Sequence, residues 1–521
     1  MKPWSAVLAL KVILFFAIVI ALISRFSIRE IRAQGRGPLG TNLVRIDDWS
    51  AEFPFVDAFK PSRPWISGGA NSWDDRRTLD LDTHGWVSSL QSGQIARTLF
   101  FWDLSQAPGR FPAGRYTVLH DGEGTIQYTP NARRIESSRG REVIDVDPTR
   151  GGVGLFITAT TPSNYIRNIR VLMPVNAAAG ERFNPVFLDR IKNYKVIRFM
   201  DWMATNGDWS RNGGSQKRHW NDRPKLDDAR WSNTHGVPLE VMVELANRLN
   251  MDAWFCMPHQ ADDDYVRRFA QAVRGSLNAN LKIYVEYSNE VWNGGYAQAW
   301  YAQQQGLAQH LSANAYQAQI RYHAKRSREI FAIWESVFPK DRLVRVLGSH
   351  AANPWVSDTA LSYGDTVAHT DALAIAPYFG FRPVDMARAK GMTLNQLFSE
   401  LRTLTLPQVR KMMDQQAAVA KKYGVKLITY EGGQHLVALG SYQNDTTLNA
   451  LFDDANRDAR MGGLYSRHLQ DWSDASGGQL FVHFTNLSRY GIYGRFGSLE
   501  YQAQPRTSAP KYDALQRFMG N

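Results

Sequence analysis

Ile283-Tyr284-Val285-Glu286-Tyr287-Ser288-Asn289-Glu290-Val291-Trp292-Asn293 is a short apolar run that breaks into a polar, acid-bearing segment. Its length and β-branched and aromatic content suit a buried strand, and the Ser-Asn-Glu that follows reads as the strand's exit. Working outward, the same texture recurs at Val196 to Met200, Ala253 to Met257, Leu343 to Leu347, Ala372 to Ile375, Leu427 to Tyr430 and Leu480 to Phe484. Helical patterns at Pro238 to Asn250, Tyr265 to Leu277, Ala315 to Phe338 and Leu406 to Tyr423 separate them. Strand–helix alternation implies parallel strands joined by crossover helices. With an eighth strand expected at Asn42 to Ile46, the count fits a closed (β/α)8 barrel, and no glycine-rich phosphate loop follows any strand.

A barrel of this kind takes about 250 residues, and the chain has 521. The surplus falls early. Between Trp73 and Pro174 short alternating runs such as Arg115 to Leu119 and Gly154 to Thr158 are separated by Pro112-Ala113-Gly114, Asp121-Gly122-Glu123-Gly124 and Arg150-Gly151-Gly152. That spacing predicts an antiparallel β-sandwich, inserted between the first and second barrel strands. The expected organisation is therefore residues 1–33 as a signal or anchor segment, 40–72 and 175–521 as the barrel, and 73–174 as the insertion.

Residues 6–24 are apolar but for Lys11. They read as a signal peptide or an uncleaved anchor, which places the folded part outside the cytoplasm: periplasmic, secreted, or tethered to the inner membrane. The net charge of +12 suits an acidic polymer or an anionic surface. Lysine and arginine are spread along the chain without a basic helix, which argues against nucleic acid. The single cysteine, Cys256, rules out an intramolecular disulfide and multi-cysteine metal sites.

Barrel enzymes carry their reactive groups where strands end. The fourth strand delivers Glu290, and the seventh, Leu427-Ile428-Thr429-Tyr430-Glu431-Gly432-Gly433, delivers Glu431. Two carboxyls across one mouth can divide acid and base work, because proximity pushes their pKa values apart. Glycosidic cleavage needs such a pair, about 5–5.5 Å apart when the anomeric configuration is retained.

At these residues the chain resembles glycoside hydrolase clan A, the retaining (β/α)8-barrel hydrolases, with family 5 the nearest well-known relative. The resemblance rests on Asn289-Glu290 inside Tyr-Ser-Asn-Glu-Val-Trp-Asn and on Glu431 inside Tyr-Glu-Gly-Gly, and covers roughly residues 40 to 70 and 184 to 505. It implies that Glu290 is the acid/base, that Asn289 binds the sugar 2-hydroxyl, and that Glu431 is the nucleophile. It further implies that Arg198 holds Glu431 ionised and that Tyr378 stands beside it. His259 is a candidate contact to Glu290 or the sugar, and a surface histidine is the other reading. The eighth strand departs from the pattern, since Leu480-Phe481-Val482-His483-Phe484-Thr485-Asn486 lacks the usual Trp. Phe484, or Trp202, Trp209 or Trp292 from neighbouring loops, is then the candidate platform under the reacting sugar.

The expected substrate is a β-linked polysaccharide or oligosaccharide, with no cofactor and no metal. Asp262, Asp263 and Asp264 near His259 read as a helix N-cap and acidic first turn. Two other readings use the same residues: a non-catalytic binder of cellulose or exopolysaccharide, and a transglycosylase serving polysaccharide export. Trp73, Trp86 and Trp102 of the insertion either bind carbohydrate or brace the barrel.

Overall fold

The computed structural model describes residues 37–102, 104, 111–207 and 218–521. The expected signal or anchor segment, and Trp209, lie outside them. Among the described residues, no helix is long and apolar enough to cross a membrane.

Eight parallel strands form the barrel, in chain order Leu39–Asn42, Val196–Arg198, Asp252–Met257, Ile283–Tyr287, Leu343–Gly348, Ala372–Ile375, Lys426–Thr429 and Phe481–His483. Each of the first six pairs with the next in order, and the first also pairs with the eighth, Leu39 opposite Phe481. Closure between seventh and eighth comes from Thr429 N donating to Leu480 O at 3.1 Å and Phe484 N donating to Gly432 O at 3.0 Å.

The first strand begins and ends earlier than the expected Asn42 to Ile46. Asn42 is where it stops, because its side-chain amide turns inward to the carbonyls of Tyr430 and His483 at 3.0 and 3.3 Å. Leu43 and Ile46 then pack as loop residues in the core. Small residues set the closeness of the walls: a Cβ on Gly40 would lie 2.9 Å from Val196 O, and one on Gly432 would lie 2.6 Å from the Phe481 ring.

Alternation along the strands sorts the two cores. Ile197, Phe255, Val285 and Leu373 face the surrounding helices, while Val196, Trp254, Cys256, Val346, Ala374, Ile428 and Val482 fill the barrel interior. The helices carry the expected signals. Asp262 accepts a hydrogen bond from Tyr265 N as the N-cap of Asp263–Ser276, with Asp263 and Asp264 in the first turn, and Gly424 closes Leu406–Tyr423 in the left-handed conformation.

Two four-stranded antiparallel sheets occupy the early surplus. One orders Ile66–Gly68, Ile95–Phe100, Val153–Thr160 and Gly124–Tyr128; the other orders Arg167–Leu172, Gly114–Asp121, Arg141–Val146 and Ala132–Ser138. Phe100, Leu155, Ile157 and Ile126 from one meet Tyr116, Val118, Ile144 and Val171 from the other. Ile66–Gly68, which the sequence reading left with the barrel, is an edge strand here because it pairs with Ile95–Arg97.

Trp202 is a core residue. It is fully buried among Phe55, Phe187 and Phe199 at ring separations of 5.6 to 6.4 Å, which removes it as a sugar platform. Trp202→Ala should therefore act on stability, lowering the free energy of unfolding by about 3–5 kcal/mol in chemical denaturation.

Candidate active site

Arg198, the last residue of the second strand, has no solvent exposure. A guanidinium has five N–H donors in a fixed fork, and here five bonds use them. Nε and Nη2 donate to Glu286 Oε2 at 3.0 and 2.9 Å, and Nη2 also to Asn289 Oδ1 at 2.8 Å. Nη1 donates to Glu431 Oε1 at 2.9 Å and to Asn42 Oδ1 at 3.2 Å. Trp254 and Tyr430 present their rings to the cation at 5.6 and 5.1 Å. One side chain thus ties together the ends of the first, second, fourth and seventh strands.

Glu431, buried at the end of the seventh strand, accepts a second bond on Oε2 from the Tyr378 hydroxyl at 2.9 Å. Glu290 is half-buried and accepts only from neutral donors: Asn293 Nδ2 at 2.8 Å and the Tyr430 hydroxyl at 3.0 Å. The residue before one glutamate therefore bonds the other, which brings the ends of the fourth and seventh strands together. Burial raises both pKa values, that of Glu431 to about 8, and a neighbouring carboxylate adds to each rise, Glu286 for Glu290 and Glu290 for Glu431. Such a pair titrates as a unit. The direct guanidinium contact and the tyrosine hydroxyl favour charge on Glu431, whereas Glu290 is met by neutral donors.

The backbone that presents Glu290 is unusual. Ser288 and Glu290 flank Asn289 with φ of 59° and 45°, a left-handed region that costs non-glycine residues about 1–3 kcal/mol each. Gln298 Nε2 holds the Asn289 carbonyl at 2.7 Å, Ser288 N donates to Met257 O at 2.8 Å, and Gln319 Nε2 holds the Val291 carbonyl at 2.7 Å.

Of the other candidates, Tyr378 and Asn289 join the Arg198 network as described. Phe484 is half-buried beside Phe496 at 5.4 Å, and Phe496 in turn meets Tyr378 and His435, so several small rings gather where the eighth strand ends. Trp292 stacks on His350 at 4.2 Å and 5°. His259 is buried edge-on to Tyr301 at 5.3 Å. Neither of its ring nitrogens bonds Glu290, and burial, with Arg218 nearby, lowers its pKa to about 4.

Sequence reasoning passed over four participants. Glu286 also accepts from Trp254 Nε1 at 2.9 Å, and Asn42 bonds Arg198. Tyr296 stands where the charges of both glutamates, added to burial, keep its hydroxyl protonated. Asp201, raised by burial to about 6, lies close enough for its charge to act on Glu431. An acid inside an apolar strand, as at Glu286, is a readable signal: it demands a buried cation.

No family model matches the chain, and no curated protein matches it. Among solved structures, it is similar to a fungal β-1,4-galactanase at 11% identity, over 64% of this chain and 92% of that one, with a TM-score of 0.34. A modular endo-β-1,4-mannanase from Cellulomonas fimi shares 11% identity over 63% and 62%, with a TM-score of 0.33. A Bacteroidetes-affiliated GH5 cellulase linked with a polysaccharide utilization locus shares 11% over 67% and 86%, with a TM-score of 0.35.

Removing Arg198 leaves two buried carboxylates without a cation. Arg198→Ala should lose about 3–5 kcal/mol of stability at neutral pH. Glu431, raised by burial to about 8 even with Arg198 beside it, then lacks the cation that lowers its pKa, so the loss should grow as pH rises past the unfolded value of 4.5 and shrink below it. Urea denaturation between acid and neutral pH reads this slope.

Proposed function

We propose that the protein is a retaining glycoside hydrolase acting on a β-linked polysaccharide or oligosaccharide by double displacement. Glu431 Oε2 attacks the anomeric carbon as Glu290 gives its proton to the departing glycosidic oxygen, and a glycosyl ester forms on Glu431. Glu290, now a carboxylate, takes a proton from water. The resulting hydroxide adds to the anomeric carbon and the ester bond breaks, restoring Glu431 and the proton on Glu290.

One arrangement carries this reading: two glutamates from the fourth and seventh strands, one bonded to Arg198 and the other to neutral donors only. A pure binder of polysaccharide has no use for carboxyls so differentiated. Asn289, its Oδ1 engaged by Arg198, offers its amide to the sugar 2-hydroxyl. Tyr378 holds the attacking carboxylate in aim, and Phe484 and Trp292 face the sugar rings. The transfer balance between water and a second sugar is set by the acceptor side, and the same two residues serve either outcome.

A panel of β-glucans, mannans, xylans and bacterial exopolysaccharides, with Glu290→Gln and Glu431→Gln beside the wild type, tests the assignment. Wild-type turnover should fall by about 10³-fold or more in each variant, in keeping with the loss of a group essential to both steps, and the first-formed product should keep its anomeric configuration by NMR. Inversion, or tight binding with equal lack of turnover by all three proteins, overturns it.

A second prediction concerns the pair's own titration. Glu431→Gln removes the negative neighbour that opposes ionisation of Glu290, so Glu290 should titrate at lower pH than in the wild type. Carboxyl infrared bands followed against pH measure the shift, and an unchanged or raised value contradicts the electrostatic pairing.

A further inference from the structure

The two long excursions that follow the first and second barrel strands meet through the sandwich turn at His84 and the loop at Asp227 to Ala229. The turn Asp82 to Trp86 of the sandwich is shaped by Asp82 Oδ1, which accepts from His84 N and Trp86 N at 2.9 Å. It docks on the loop after the second strand through Ala229 N donating to His84 O at 2.8 Å. This backbone bond sets the His84 imidazole against Asp227 and Asp228. Nδ1 lies 3.4 Å from Asp227 Oδ1 and 3.5 Å from Asp228 Oδ1. The Nδ1 atom is buried and meets neither carboxylate at an ordinary hydrogen-bond distance, and the three ligand atoms all lie within 4.8 Å of one another.

Those separations are long for hydrogen bonds but match another geometry. Ligands about 2.0–2.2 Å from a tetrahedral ion are about 3.3–3.6 Å apart along each edge. The surrounding bonds also leave these atoms free. Asp228 Oδ2 is taken by Lys225 N at 2.6 Å and by His235 Nε2 at 2.8 Å, which turns Oδ1 towards His84. The Lys60 ammonium donates to the Asp228 carbonyl at 2.7 Å and lies over the Trp231 ring at 4.7 Å, and its charge reaches both carboxylates without a side-chain bond to either. Asp227 is exposed, so water can complete a fourth position.

We propose that His84 Nδ1, Asp227 Oδ1 and Asp228 Oδ1 bind a divalent transition-metal ion, zinc for preference, that pins the sandwich to the loop after the second barrel strand. One imidazole with two carboxylates selects borderline ions over magnesium or calcium, which take oxygen alone. His235 serves as the outer support that orients an Asp ligand. The ion is structural and takes no part in the chemistry at Glu290 and Glu431.

The test uses the full chain, stripped with a chelator and dialysed. Zinc chloride, with magnesium chloride as the parallel arm, is followed by calorimetry and by thermal denaturation. The expected result is one zinc per chain and a raised Tm with zinc but not magnesium, because a ligand that binds only the folded state stabilises it. His84→Ala and Asp227→Asn should abolish both effects, while His235→Gln should weaken zinc by about 10–100-fold. Cobalt(II) substitution should give visible bands of a low-coordinate site that vanish in Asp227→Asn. A Tm in chelator equal to that of the stripped wild type shows that a variant is folded, and exposed Asp227 serves should His84→Ala fail this check. Zinc binding that is absent from the wild type, or that persists undiminished in Asp227→Asn, overturns the proposal.

Discussion

A buried guanidinium needs carboxylates, and Arg198 sits where four strand ends must supply them. Stripping an arginine and two glutamates of water costs several kcal/mol per ion. That cost is offset only if every donor is met at good geometry, which the five bonds to Glu286, Asn289, Glu431 and Asn42 achieve. Any slip of the second, fourth or seventh strand by one residue turns a charged side chain into the helix layer. The network therefore fixes barrel register as firmly as the apolar layers beneath it, where Val196, Val346, Ala374, Ile428 and Val482 pack. It also leaves two carboxylates for one cation, which is the source of the site's electrostatic asymmetry.

That asymmetry differentiates two chemically identical side chains. Glu431 takes its bonds from a cation and a phenol, whereas Glu290 takes them from an amide and a phenol. The first set favours negative charge and the second tolerates a proton. Strain lies on the Glu290 side: the left-handed Ser288 and Glu290 bracket Asn289, and glutamine amides from the next helices hold the flanking carbonyls. Tyr430 links the halves, since its hydroxyl serves Glu290 while its carbonyl accepts from Asn42 and its ring faces Arg198.

The barrel was legible because its strands are apolar runs with helices between them, and that pattern has few other solutions. Boundaries were legible to within a residue or two, as at Ile283–Tyr287, except at Asn42, where a side chain reaching across the barrel stops the strand early. No local pattern announces such a contact. The glutamates and Arg198 stood out because charge at a strand exit is conspicuous. Glu286 was on the page and overlooked, since its meaning depends on a partner 88 residues away. Trp202 misled for the opposite reason: an indole in a loop after a strand reads as a platform until its neighbours Phe55 and Phe187 are known.

The sandwich is the part that the resemblance leaves unexplained, and topology supplies an argument. The chain leaves the first strand at Asn42 and enters the sandwich before it reaches the helix Pro185–Ile191. An insertion there must stand on the face where the strands end, which is the reactive face of a barrel. Its contacts agree. Trp102 N donates to Asp48 O at 2.7 Å, Arg63 binds Asp48 at 2.7 Å and lies under the Trp102 ring, and Trp231 N donates to Lys60 O at 2.8 Å. Trp86, buried and stacked on Phe59 at 5.6 Å, braces the joint, while Trp49 and Trp102 remain 44% exposed beside one another's backbone. Bracing and exposure are thus divided among the tryptophans. Trp86 is packed into the joint, whereas Trp49 on the loop after the first strand and Trp102 of the sandwich turn apolar ring surface to solvent.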